Sequence, residues 1–149
     1  MIVVSDVFKK VLFNYVIKEK FECGIVLYGW EIKSIRLNGL NVIGSYVSFK
    51  NNELFLISSC ISYLASNLID NKQIEYRNRK LLLTSRELRY LYGVLKIKTY
   101  TLIPSKVYFK TAYVKIQICL CIGKKKHDKR VSIRNKEFIK ENKIIKTLF

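Results

Sequence analysis

Hydrophobic and polar positions alternate with a period of two over much of this chain, and helical spacing replaces that alternation in only a few places. The clearest case is Tyr113 to Ile122. Val114, Ile116, Ile118, Leu120 and Ile122 fall on one face, and Tyr113, Lys115, Gln117, Cys119 and Cys121 on the other, which predicts a strand. Tyr100 to Phe109 predicts another. Val42 to Phe49 and Leu54 to Ile61 are strand-like, and the polar Lys50-Asn51-Asn52-Glu53 between them is short enough for a hairpin. From Asn14 to Leu27, aromatic and β-branched residues predict two short strands interrupted by a charged turn at Lys18-Glu19-Lys20. Residues 1 to 13 stay open: Ile2-Val3-Val4 can start a strand, and Phe8 to Phe13 can be a short helix or an extended arm.

Two helices interrupt the strands. The apolar run Gly24 to Tyr28 feeds into Gly29 to Arg36, where Ile32 and Ile35 share one side, and Asn38-Gly39 supplies a stop signal. Thr84 to Lys96 combines a capping box, Thr84 with Glu87 three residues on, with an apolar stripe of Leu88, Leu91, Tyr92 and Leu95. Gly93 inside that helix costs about 1 kcal/mol against Ala, which predicts close packing or an early end to the regular helix. Ser62 to Tyr76 is mixed and polar, a long surface loop or a frayed strand extension. The fold class is therefore mainly β with short helices, an antiparallel OB-like β-barrel, an architecture that often binds nucleic acid. Fold alone does not establish function.

Charge sharpens the picture. The 149 residues carry 28 Lys and Arg against 11 Asp and Glu, a net charge of +17. Residues 1–122 hold 18 cations against 8 anions and residues 123–149 hold 10 against 3, so both the barrel and the basic C-terminal tail share the surplus. A surplus of this size speeds encounter with phosphate-bearing partners, and nucleic acid leads. A membrane surface would instead favour one basic amphipathic helix, and no run approaches the roughly 18 apolar residues that span a bilayer. The Met-Ile-Val-Val-Ser-Asp start lacks the character of a signal peptide, and a cytoplasmic location is expected. Cys23, Cys60, Cys119 and Cys121 show no C-x-x-C spacing and the only histidine is His127, so neither a metal nor another cofactor is expected. Carboxylates are few and scattered and no acid–base pair offers itself, which argues against an enzyme such as a metal nuclease. In the tail, Ile133, Phe138, Ile144 and Ile145 are too sparse to bury against a core, which predicts disorder alone and helix when bound.

Five blocks in order, FECGIVLYGWEIKSIR, SYVSFKNNELFL, RNRKLLLTSRELRYLYG, YTLIPSKVYFKTAYVKI and GKKKHDKR, resemble the blocks of the SsrA-binding proteins, the small protein B family, from about Tyr15 to the C-terminus. The resemblance implies an OB-like barrel that grips the elbow of the tRNA-like part of transfer-messenger RNA. It implies that the complex reaches a stalled ribosome with elongation factor Tu, which the protein meets only through the RNA. The tail would then fill the small-subunit decoding centre and the empty messenger channel, and the protein itself would catalyse no bond change. By position, the implied RNA contacts are Tyr15, Glu22, Leu82 and Lys115. Charge adds Arg36, Arg77, Arg79 and Lys80.

Each type has a physical reason: a carboxylate accepts from base amino groups, an aromatic stacks on an unpaired base, and a cation neutralises phosphate. Plainer readings stand beside these, with Leu82 as core, Tyr15 as packing and Glu22 as a turn-orienting residue. Lys124, Lys125 and Lys126 alone would be a solvated charge run, and His127 an incidental surface residue. Within the tail signature they become ribosome-facing, together with Asp128, Lys129, Arg130 and the aromatic Phe138, which stands where the family carries Trp. Phe8 stands where the family carries Asn, Ile74-Glu75 where it carries Asp-Pro, and Thr99 where Gly is common. The competing class is a non-enzymatic, ribosome-associated OB-fold assembly factor, which accounts for the basic barrel but not for GKKKHDKR.

Overall fold

A computed structural model describes residues 2–62, 72–97, 99–125, 127–131, 133–134 and 138. The chain order is β1 (Ile2–Asp6), α1 (Phe8–Asn14), β2 (Tyr15–Ile25), α2 (Gly29–Asn38), β3 (Tyr46–Lys50), β4 (Glu53–Ile57), α3 (Lys72–Glu75), β5 (Arg79–Leu82), α4 (Ser85–Leu95), β6 (Tyr100–Lys110) and β7 (Tyr113–Gly123). All strand pairings are antiparallel, in the order β1-β6-β3-β4-β5-β2-β7, with β6 also paired to β7. The expectation of a mainly β fold with short helices holds. Leu54, Leu56, Ile116, Ile118, Leu102 and Val107 point into one apolar core, and Ile35 of α2 and Leu91 of α4 cover it.

The predicted hairpin is the β3–β4 pair. Lys50 pairs with Glu53 across a two-residue turn, and Asn51 and Asn52 both adopt positive φ (50° and 61°), the conformation that primed hairpin turns demand and that Asn tolerates best. Both strands are shorter than their apolar runs. Val42 and Ser45 are tied in a turn, with the Ser45 hydroxyl donating to the Val42 carbonyl at 2.7 Å and Gly44 at φ 78°. Beyond β4, Ser58 at φ 60° breaks the strand, and Cys60 returns only as an isolated bridge to Asn41.

One further expectation is corrected, and two details that local pattern leaves open are resolved. Lys18-Glu19-Lys20 is not a turn: β2 runs unbroken for 11 residues, and a register shift between Ile17 and Glu19 absorbs the irregularity. The three charged side chains stay exposed, Glu19 toward Tyr90 of α4 and Lys20 over the Phe8 ring of α1, while β7 holds the backbone from end to end. Ile2–Asp6 and Phe8–Asn14 form both candidate elements of the N-terminal segment, a strand on β6 followed by helix α1. The outer face of β7 is not uniformly polar either, because Val11 of α1 packs on Cys119 and Cys121 and makes a small second core. All four cysteines are free thiols. Of the expected loop from Ser62 to Tyr76, residues 63–71 lie outside the described residues and Lys72–Glu75 forms a helical turn.

Helix α4 starts as predicted, with Thr84 Oγ1 accepting from the Glu87 amide at 3.4 Å and Glu87 Oε2 accepting from the Thr84 amide at 3.0 Å. Gly93 neither packs closely nor ends the helix, which continues to Leu95. A Cβ there would meet nothing within 4 Å. Gly93→Ala should therefore stabilise the fold by about 0.5–1 kcal/mol, read as a higher urea midpoint at constant m-value.

The sheet and α2 are joined by a buried ionic cluster. Glu31 and Arg79 are both fully buried. Glu31 Oε1 accepts from Nε of Arg79 and from Nε of Arg77, each at 2.9 Å, while Oε2 accepts from the Tyr28 amide at 2.7 Å and from Nη2 of Arg77. Arg79 spends its other donors on the carbonyls of Ser59, Glu75 and Arg77 and on the Ser59 hydroxyl. Burial alone would raise the Glu31 pKa, but the Arg77 hydrogen bond, the Tyr28 amide and the charge of Arg79 outweigh it and hold the carboxyl below its ordinary value. Glu31→Ala strands the Arg79 charge without a counter-ion, and should cost about 3–5 kcal/mol in urea unfolding.

Candidate nucleic-acid interface

Strand register decides which predicted contacts meet. In β2, Cys23 is buried and points inward, so its neighbours Glu22 and Gly24 face outward. Gly24 lies between two partners, Leu82 on β5 and Lys115 on β7. Leu81 and Ile116 are core, so Leu82 and Lys115 also face outward. Glu22, Leu82 and Lys115 thus share one outer surface although 93 positions separate the first from the last. Leu82 is not core: it is 51% exposed, and it sits where a Cβ on Gly24 would come within 3.4 Å of its own Cβ. Gly24, Leu27, Leu82, Tyr113 and Lys115 line a shallow cleft of about 270 Å³.

Glu22 is held by two residues that the sequence reading missed. The Tyr108 hydroxyl donates to its Oε2, and Lys110 Nζ lies 3.1 Å from its Oε1. The signal was present in the hairpin register, because the turn at Thr111-Ala112 sets Tyr108 opposite Lys115 and Lys110 opposite Tyr113. Tyr108 first and Lys110 second hold the Glu22 carboxyl below its ordinary pKa, while burial and this same carboxylate push the Tyr108 phenol up to about 12. The face therefore presents a fixed anion, a cation and an apolar step, a set suited to a base edge, a phosphate and a base face.

The remaining predicted residues divide. Arg79, expected to meet phosphate, has no exposed surface, and its guanidinium is bonded entirely inside the protein; it is a structural residue. Arg77 is mostly covered and committed to Glu31. Lys80 pairs with Glu53 in a partly exposed contact, of the kind that contributes little and exchanges readily for another anion. Arg36 is exposed on the last turn of α2, 5.9 Å from the Phe109 ring. Tyr15 is half-buried at the far end of β2, about 23 Å from Glu22 by strand rise, where it packs on the Val11 cluster and borders a cavity of about 390 Å³ with Lys10, Asn14 and Tyr46.

That end of β2 also roots the tail. The Lys124 amide donates to Asn14 O at 3.0 Å and its Nζ to Leu12 O at 2.9 Å. Asp128 Oδ2 accepts from the Lys125 amide at 3.1 Å, so the carboxylate caps the first turn of the helix that carries His127 to Val131. His127, Asp128 and Arg130 are exposed, Lys129 is half-buried and Phe138 is 65% exposed. Lys126 lies outside the described residues. Among the described residues, no helix is long and apolar enough to cross a membrane.

A titration tests the Glu22 clamp. With the folded-state carboxyl depressed, the clamp stabilises the fold at neutral pH, and that contribution is lost as pH falls through the lowered pKa. Tyr108→Phe should move the Glu22 midpoint upward toward the ordinary carboxylate value, followed by NMR of its side-chain carboxyl.

The SmpB protein family matches residues 7–147. The chain is 40% identical over 130 residues to the SsrA-binding protein of Psychrobacter arcticus, covering 87% of this chain and 82% of that one. It is 42% identical over 133 residues to the SsrA-binding protein of Leptothrix cholodnii, with 89% and 86% covered. A solved structure described as "tmRNA-SmpB: a journey to the center of the bacterial ribosome" is similar at a TM-score of 0.62 and 36% identity, over 82% of this chain and 89% of that one. By sequence along nearly its whole length and by fold, this chain belongs to the SmpB family of SsrA-binding proteins.

Proposed function

We propose that this chain binds the tRNA-like part of transfer-messenger RNA and delivers it to stalled ribosomes for trans-translation, so that the halted chain is tagged for degradation and the ribosome is freed. The observation that carries this reading is the outward grouping of Glu22, Leu82 and Lys115, assembled by strand register in a chain whose relatives are SsrA-binding proteins. Glu22 accepts from a base edge, Leu82 offers an apolar seat to a base, and Lys115 neutralises phosphate. Arg36 and Lys80 add phosphate contacts at the margin, and Tyr15 makes a separate contact near the root of the tail. Elongation factor Tu is met through the RNA.

The pairings β6-β3-β4-β5-β2-β7, returned to β6 by the β6–β7 ladder, support reading residues 1–122 as an OB-like barrel. The protein works in the cytoplasm by binding and positioning, without catalysis, metal or cofactor. Residues 123–149 are the ribosome-binding tail, helical when bound, with Lys124 to Arg130 and Phe138 in the decoding centre and messenger channel. The Asp128 cap supports that assignment, because it favours helix at the point where the tail leaves β7.

One pair of captures tests both halves of the reading. Full-length chain and a chain ending at Gly123 are recovered from native lysate, and the bound RNA is sequenced. Both should hold one dominant RNA with a tRNA-like end, and only the full-length chain should restore tagging in reconstituted translation. Recovery of ribosomal RNA alone would point to the assembly-factor class.

A further inference from the structure

Arg77 is spent on Glu31, and its guanidinium does a second thing there: it lies 4.2 Å from the centroid of the Tyr28 ring. Arg77 cannot move off, because its Nε and Nη2 hold both oxygens of the buried Glu31 and Nη2 also donates to Val26 O at 3.2 Å. The Tyr28 peptide is fixed by the same carboxylate, through its amide at 2.7 Å. One buried anion thus positions both an aromatic residue and the cation against it. Tyr28 nevertheless remains 57% exposed. With the guanidinium on one face, solvent reaches the other.

The direction of that face follows from β2. Val26 continues the β2–β5 pairing beyond Ile25 by donating to Lys80 O at 2.9 Å, so Tyr28 extends the same edge that carries Gly24 and Leu82. Val26 and Leu82, both exposed, lie on that edge as well. An ordered ring with an open face needs little further loss of freedom on binding, and the cation behind it draws electron density away, which favours a large electron-rich π-surface in front. We propose that Tyr28 is a preorganised stacking platform for an unpaired purine of the bound RNA, separate from the contacts of Glu22, Leu82 and Lys115. The inference rests on the functional reading above.

The test uses full-length chain and the tRNA-like part of transfer-messenger RNA. Tyr28→Ala should weaken binding about ten-fold, the scale of one lost stacked base, with the salt slope unchanged because no cation is removed. Tyr28→Phe keeps the ring and should bind as the parent does. In chemical probing, one purine should be protected by the parent and by Tyr28→Phe and exposed with Tyr28→Ala. Thermal midpoints of the free proteins separate this from a ring that merely shields the ion cluster: a loss of affinity no greater than the unfolded fraction explains overturns the platform. Unchanged affinity and probing for Tyr28→Ala overturn it too, as does an equal loss for Tyr28→Phe, which would mark a hydroxyl contact. If the parent chain fails to bind this RNA at all, the functional reading falls and the platform with it.

Discussion

Arg79 has no access to water, and every branch of its guanidinium is answered from a different part of the chain: Glu31 from α2, Ser59 from beyond β4, and Glu75 from the approach to β5. A buried charge is tolerated only where geometry of this quality surrounds it, since desolvating an ion costs several kcal/mol. The cluster therefore fixes where α2 sits against β5, and where the polar segment before β5 rejoins the sheet. The β2–β5 ladder holds two residue pairs and one further backbone bond from Val26 to Lys80, so the short ladder that places Leu82 beside Gly24 depends on this anchoring nearby.

The strand pattern was legible where side chains alternate between core and solvent, as in β7 up to Ile118, and where a turn has its own chemistry, as at Asn51-Asn52 and Thr84-Glu87. It failed where tertiary structure overrode local sequence. Lys18-Glu19-Lys20 has turn composition, but the long β7 ladder keeps it in a strand. Cys119 and Cys121 sit on what local periodicity marks as the outer face, and they are buried only because α1 returns over them from the far end of the sequence. No local window contains that information.

The candidate site was legible through the family resemblance and through charge, neither of which shows environment. Glu22, Leu82 and Lys115 were marked, and register brings them together. Arg77 and Arg79 were assigned to RNA on charge alone, yet Arg79 is fully buried and Arg77 largely covered, both bonded to the buried Glu31. A sequence counts charges and cannot show which ones neutralise each other. Tyr108 was passed over for the complementary reason, because a tyrosine in an apolar strand looks like packing until its hydroxyl is seen to meet Glu22.

The rooting of the tail has a mechanical consequence. Strand β7 is laddered along its length on both sides, to β2 and to β6, and the residue that follows it is tied to the end of α1 by the amide and the ammonium of Lys124. A pull on the tail along the strand axis therefore loads two ladders in shear at once, many hydrogen bonds in parallel, where an edge strand would peel open one bond after another. Tension applied at the C-terminal end reaches the Gly24–Lys115 region as a nearly rigid displacement of β7.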